Sequence, residues 1–411
     1  MQKKEIKFDG LDWAVFLGYA GYAASTAVIP LVLVPMGQDL KLNLTSGGAL
    51  HLVSRCVMVI SMMLAGAVSN RFGKRNILCL SILLMGIGLG VCGTAANYLI
   101  LLAALVVMGF GNGFFESLAT GFMQDRHQGN MAGRYINITH SFWPLGILLT
   151  GLTAGMWLQY GGRWQIFLFV LAGLLIGPVL LFRMGKEQQT RQPGLEFNWK
   201  EFGLPLKNPR FILFLLALFL TGGSEHCLTF WTPSYIASEY RGQGFICGMG
   251  VALFTAGMFI GRAGSGLLKI RLDRLIVICS VLAALLAPLI PLVHSAGLVL
   301  FLLVGLGMVI GPLWPSLQYC CVSSLKQYDS TRLYILMPLF GIPGCGICTF
   351  LLGLLGDKFG LRTGFCLVFF CNLLIAAVIA LHWKLESKQG LKDEKSKNCN
   401  VDSCVRPTPG T

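Results

Sequence analysis

The chain has 411 residues, of which 55% are hydrophobic and only 12% charged, and its mean hydropathy is +0.70. That composition lies outside the range of soluble globular domains and excludes a water-soluble enzyme. Lys and Arg outnumber Asp and Glu by 32 to 18, but the basic residues sit in short loops between apolar runs, so the charge reports topology and excludes nucleic acid as the partner.

Apolar runs able to cross a hydrocarbon core of about 30 Å recur along the whole chain. The first, 13–35, follows Lys3, Lys4 and Lys7. It is too long for a signal-peptide core and has no evident cleavage site, so it is expected to remain as the first span. The second, 47–69, carries Arg55 and leads into a polar loop; the third is 76–95. In the fourth, 98–122, Gly109, Asn112, Gly113 and Glu116 follow i, i+3, i+4, i+7 spacing. The fifth, 133–157, repeats it with Asn137, His140, Ser141 and Pro144, so each helix has one polar, small-residue face. The sixth, 165–182, closes the first half, and 183–209 is a polar linker.

Spans seven to twelve are expected at 210–236, 246–268, 275–293, 296–322, 331–355 and 364–383. In the seventh, Gly222, Gly223 and Pro233 bracket Glu225, His226 and Trp231 and predict an interrupted helix beside a water-filled cavity. The eighth holds Arg262, and the tenth holds Trp314 and Gln318. The eleventh contains Cys345 and Cys348 in a C-x-x-C that reads as helix packing, since no second pair or His cluster accompanies it. No metal and no cofactor is expected, and the 14 cysteines, mostly within apolar segments, imply no disulfide framework. Trp13, Trp164 and Trp383 read as interface anchors, and 386–411 as a disordered cytoplasmic tail.

With the N-terminus inside, 25 of the 32 basic residues fall on the cytoplasmic side and 5 outside, which predicts a multi-pass protein of the cell inner (plasma) membrane with both termini cytoplasmic. Gly109-Phe-Gly111 lines up with Gly305-Leu-Gly307, and Gly66 precedes Arg71 as Gly266 precedes Arg271. Gly155, Gly162 and Phe167 recur in spacing as Gly353, Gly360 and Phe365. Such repetition predicts an all-α integral membrane fold of twelve transmembrane helices in two pseudo-symmetric six-helix bundles, 1–182 and 210–385.

The loop Gly66-Ala-Val-Ser-Asn70-Arg71-Phe-Gly73-Lys74-Arg75 resembles the G-x-x-x-D-R-x-G-R-R signature of the major facilitator superfamily, with Asn70 where Asp is usual. The resemblance implies a gate latch formed by Gly66, Asn70, Arg71, Gly73, Lys74 and Arg75, in which the basic residues meet helix carbonyls or carboxylates of a neighbour, and which is looser for lack of the acid. Three patches, 109–116, 134–146 and 305–316, are similar to the fucose permease-like branch of fucose, glucose and galactose proton symporters. Members of that branch often carry an acid in the first span, and 13–35 contains none.

Ionisable groups inside a membrane are costly and point to function. Glu116 and His140 lie about 9 Å and about 7.5 Å to the cytoplasmic side of their span centres, a shared depth. Glu116, His140 and Glu225 are the expected proton-coupling groups; Asn112, Asn137, Glu225, Trp231, Trp314 and Gln318 are the expected substrate contacts. A structural reading stands beside each: Glu116 tying spans four and five together, and Glu225 pairing with Arg262 or Arg55. Arg55 and Arg262 lie at different depths and cannot form a symmetric clamp.

The expected activity is secondary active transport of a small neutral solute, a sugar by preference, by alternating access coupled to protons, with sodium as the other candidate ion. The chain is expected to act as a monomer in the lipid bilayer. Two alternatives stand: a proton-coupled exporter of drug-like or other small organic solutes, and a non-transporting membrane sensor. No phosphate-binding loop, nucleophile–base set or metal spacing suggests an enzyme.

Overall fold

A computed structural model describes residues 8–127, 132–185, 203–242, 244–267, 270–328 and 330–403. Among these, 12 helices are long and apolar enough to cross a membrane. In the first half they are α1 (Gly10–Leu40), α2 (Leu44–Phe72), α3 (Lys74–Gly93), α4 (Tyr98–Arg126), α5 (Ala132–Gln159) and α6 (Trp164–Met184). The second half has α7 (Pro209–Tyr240), α8 (Gly244–Leu267), α9 (Leu272–Leu292), α10 (Ala296–Ser324), α11 (Ser330–Phe359) and α12 (Leu361–Leu385). Every span expected from hydropathy is present.

Local chemistry sets the helix ends. Asp9 caps α1 in a reciprocal box with Asp12, and Asn43, Asn97 and Asn208 accept amide hydrogen bonds at the starts of α2, α4 and α7. Helix α2 stops at Gly73, whose φ of 83° is a conformation open to glycine. At 31 residues α1 is about 46 Å long, enough to cross and protrude. The helix Cys366–Ser403 continues through residues assigned from sequence to a disordered tail. Its Lys, Glu and Gln are good helix formers, and a helix extending from an existing span needs no new nucleus. The linker expected at 183–209 keeps one described 3-10 turn, Leu204–Lys207; 186–202 lie outside the described residues.

Each half forms a bundle, and the two repeat the same packing. In the first, α1 packs on α5 and α6, α4 on α2 and α3, and α3 on α6; six helices later, α7 packs on α11 and α12, α10 on α8 and α9, and α9 on α12. The bundles meet along α2–α11, α5–α8 and α1–α7. Below, the membrane face where α1 begins is called the terminal face, and the one where α1 ends the opposite face.

Candidate substrate and proton-coupling site

Toward the opposite face the bundles are zipped by glycine. A Cβ on Gly248 of α8 would lie 2.1 Å from the Gly151 carbonyl oxygen of α5, and one on Gly48 of α2 would lie 2.9 Å from the Phe350 Cα of α11. Trp231 fills the seam beside them: it is fully buried and donates from Nε1 to the Thr349 carbonyl at 2.9 Å. Toward the terminal face, side chains of α5 and α8 become accessible. His140 on α5 is exposed and Arg262 on α8 keeps 37% of its side chain accessible.

Between these two levels lies a set of polar groups drawn from both bundles. Arg55 on α2 is 6% exposed; its Nε donates to His51 Nε2 at 3.3 Å and Nη1 meets Met58 Sδ at 3.5 Å, both weak bonds. Among the described residues no carboxylate lies within 4.0 Å of it. Across the interface the His51 ring lies 5.6 Å from His226 and 4.7 Å from Phe230 of α7. Thr26, His51, Ser54, Arg55 and Asn112 line a cavity of about 10 Å³, room for one water. Glu225 on α7 pairs with Arg262 at 3.7 Å, and Arg262 also donates to the Gly311 carbonyl at 2.9 Å.

Glu116 on α4 is half-buried and, among the described residues, accepts no hydrogen bond or ion pair. One turn on, Thr120 Oγ1 lies 3.1 Å from Tyr19 OH and 3.0 Å from His140 Nε2, a chain of three exchangeable groups from α1 to α5 that ends at the exposed His140 ring. Around it stand Phe115, 5.2 Å from Tyr19, and Trp143, 4.5 Å from Tyr22.

Several expectations change on this geometry. Helix α7 is a continuous α-helix of 32 residues, not an interrupted one. Gly222 and Gly223 serve close packing instead, since a Cβ there would meet Cys345 Sγ at 2.8 Å and Cys348 Sγ at 2.4 Å on α11. Helix α10 does break, between Ile310 and Leu313 at Gly311-Pro312. Trp231 belongs to the seam and presents no face to the cleft. Asn112 is buried and its Oδ1 accepts from Ser25 Oγ at 3.1 Å. Trp314 packs against Gly341 and stays half-buried with Gln318. Asn137 lies on α5, but its side chain is outside the described residues.

An acid does occur within the first helix, because the Asp9 cap starts α1 three residues earlier than hydropathy suggests. Asp12 is 1% exposed; its Oδ1 lies 2.7 Å from His127 Nε2 and forms an ion pair with Arg126 at 3.5 Å. Burial raises the Asp9 carboxyl pKa, but the Asp12 amide and the Arg126 charge outweigh it and hold the group below its ordinary value. His51, four residues before Arg55 and so one turn away, is a further group of the site, and that spacing is the signal for it in the sequence. In the terminal-face loop Lys74 pairs with Asp125 at 2.6 Å and Arg75 donates to the Phe182 and Arg183 carbonyls at the end of α6, whereas Asn70 is exposed.

Residues 15–341 match the family model described as Major Facilitator Superfamily. A multidrug resistance protein MdtG of Yersinia enterocolitica is 25% identical over 403 residues, covering 92% of this chain and 93% of that one. The niacin transporter NiaP of Acinetobacter baylyi is 26% identical over 164 residues, so the match spans only 40% of this chain and 37% of that relative. Among solved structures, a bacterial homolog of the human lysosomal transporter Spinster superposes with a TM-score of 0.76 at 14% identity over 91% of this chain and 96% of that one. The nucleoside transporter NupG gives 0.74 at 13% over 91% and 98%. Twelve helices in two repeated bundles, a terminal-face signature loop and a family match over most of the length agree: the chain belongs to the Major Facilitator Superfamily, a family of membrane transporters.

Proposed function

We propose that this transporter exports a small, flat organic solute in exchange for protons, and that an acidic group on the solute docks at Arg55. The observation that carries the reading is a buried guanidinium with only weak partners, set among aromatic and imidazole rings from both bundles. The hexose reading loses its stacking ring to the seam at Trp231 and part of its hydrogen-bonding capacity to the Ser25–Asn112 bond, which favours the organic-solute alternative. The multidrug relative supports export, and the niacin relative, over its shorter match, supports an aromatic carboxylate. The fucose permease-like resemblance draws no support from either.

Glu116 is the coupling acid. A half-buried carboxylate without a fixed partner can bind and release a proton at little structural cost, and the Tyr19–Thr120–His140 chain leads toward the cleft. With the terminal face cytoplasmic, as the basic-residue bias indicates, this conformation faces inward. Lys74 and Arg75 hold the ends of α4 and α6 to the gate loop.

Proteoliposomes with an imposed pH gradient test the proposal against nicotinate, a lipophilic cation and glucose. Gradient-driven movement of nicotinate that Arg55→Gln removes is the expected result. Glucose transport without nicotinate transport overturns it.

A further inference from the structure

The terminal-face signature has a second copy on the opposite face, turned over. Gly353-Leu-Leu-Gly-Asp357-Lys358-Phe359-Gly360-Leu-Arg362 repeats the spacing of Gly66-Ala-Val-Ser-Asn70-Arg71-Phe72-Gly73-Lys-Arg75. The backbone repeats too: Gly73 has φ 83° and ψ 141°, and Gly360 has φ 82° and ψ 151°. The copies differ in their surroundings. A Cβ on Gly66 would meet nothing within 4 Å, whereas one on Gly353 would lie 2.6 Å from the Leu44 carbonyl of α2. One copy stands open and the other is clamped on the partner bundle.

The acid missing at Asn70 is present at Asp357, and it is engaged. Its Oδ1 accepts from the Leu44 amide at 3.0 Å, and its Oδ2 accepts from the Thr45 amide at 2.7 Å and the Thr45 hydroxyl at 2.5 Å. These are among the first amides of α2, which have no partner within their own helix, and a carboxylate there also meets the positive end of the helix dipole. Asn43 caps the same end from within the first bundle, through the Ser46 amide at 2.8 Å. Asp357 reaches it from the second. Its three bonds join the bundles and break when their opposite-face ends separate. Asn70, neutral and exposed, makes no such bond at the terminal face among the described residues.

The geometry assigns Asp357 as a positioning residue for the transport cycle, an opposite-face latch whose charge, with Asn70 neutral on the terminal face, biases the resting protein toward the conformation closed at the opposite face. The assignment goes beyond the proposed substrate and needs none for its test.

Hydrogen–deuterium exchange on the full chain in nanodiscs reads it. Asp357→Asn, nearly isosteric, keeps an acceptor and removes the charge. It is expected to raise exchange roughly three- to tenfold at residues 44–50 and, together with them, at the α5–α8 seam around 151–155 and 244–252. High salt should move wild type the same way and leave the variant unmoved. Asn70→Asp touches nothing on the opposite face and should shift the seam in the same direction by favouring closure at the terminal face, which keeps the test available if Asp357→Asn fails to fold. A rise confined to 44–50 with the seam unchanged would make Asp357 a local cap and overturn the latch, as would a Asn70→Asp seam indistinguishable from wild type.

Discussion

Gly248→Ala should open the seam between the bundles. The added methyl would sit 2.1 Å from the Gly151 carbonyl oxygen and 3.0 Å from the Gly155 Cα, both backbone atoms that cannot rotate away. Carbon–oxygen approaches below about 3.3 Å are not tolerated in close helix contacts, so α5 and α8 must part by roughly 1 Å. Overpacking of this kind costs about 1–3 kcal/mol. The cost falls only on the state in which the two helices touch, so it becomes a shift of roughly 5–150-fold between the two conformations. Exchange at 151–155 and 244–252 in nanodiscs should rise accordingly. Gly90→Ala, where a Cβ would meet nothing within 4 Å, is the matched control and should leave the seam as it is. A folded Gly248→Ala protein with seam exchange equal to the control's would refute the claim that this contact holds the closed face.

Glu116→Gln is expected to abolish accumulation driven by a pH gradient while sparing solute exchange, because the amide keeps hydrogen-bonding capacity but carries no proton; gradient-driven transport at the wild-type level would remove Glu116 from coupling. Thr120→Val, which cuts the Tyr19–Thr120–His140 chain, should slow the proton-coupled step and leave solute affinity alone, as stopped-flow pH traces beside binding titrations would show. Trp231→Ala should lower stability by about 3–5 kcal/mol through the cavity it leaves, whereas Trp231→Phe should lose only about 1 kcal/mol for the Thr349 bond; melting curves of both, with solute affinity in the surviving fraction unchanged, separate a seam residue from a stacking one. The depressed Asp9 carboxyl pKa makes a signed forecast: its stabilisation is present above its unfolded value near 3.9 and is lost as pH falls through the folded value. Asp9→Asn should therefore melt earlier than wild type at neutral pH, with the gap closing in acid below about pH 4.

Hydropathy by itself determined the twelve spans, because a bilayer demands about 20 apolar residues per crossing and that demand is local to each segment. The recurring glycine spacings likewise revealed two related halves, which the repeated packing of the two bundles matches. What a glycine or tryptophan is for could not be read the same way. Gly222 and Gly223 resemble helix breakers in one dimension, yet the approach of α11 makes them packing contacts; Trp231 resembles a binding ring until Thr349 and Gly353 enclose it. Asp12 fell just outside the apolar run, and only its burial against His127 and Arg126 makes it part of the first helix's chemistry. The Asp357 motif stood in the sequence beside its better-known copy, but its partners lie more than 300 residues away at Leu44 and Thr45. Sequence spacing records which side chains share a face of one helix, and only the docking of one bundle on the other decides which of those faces meets a neighbour and which meets the cleft.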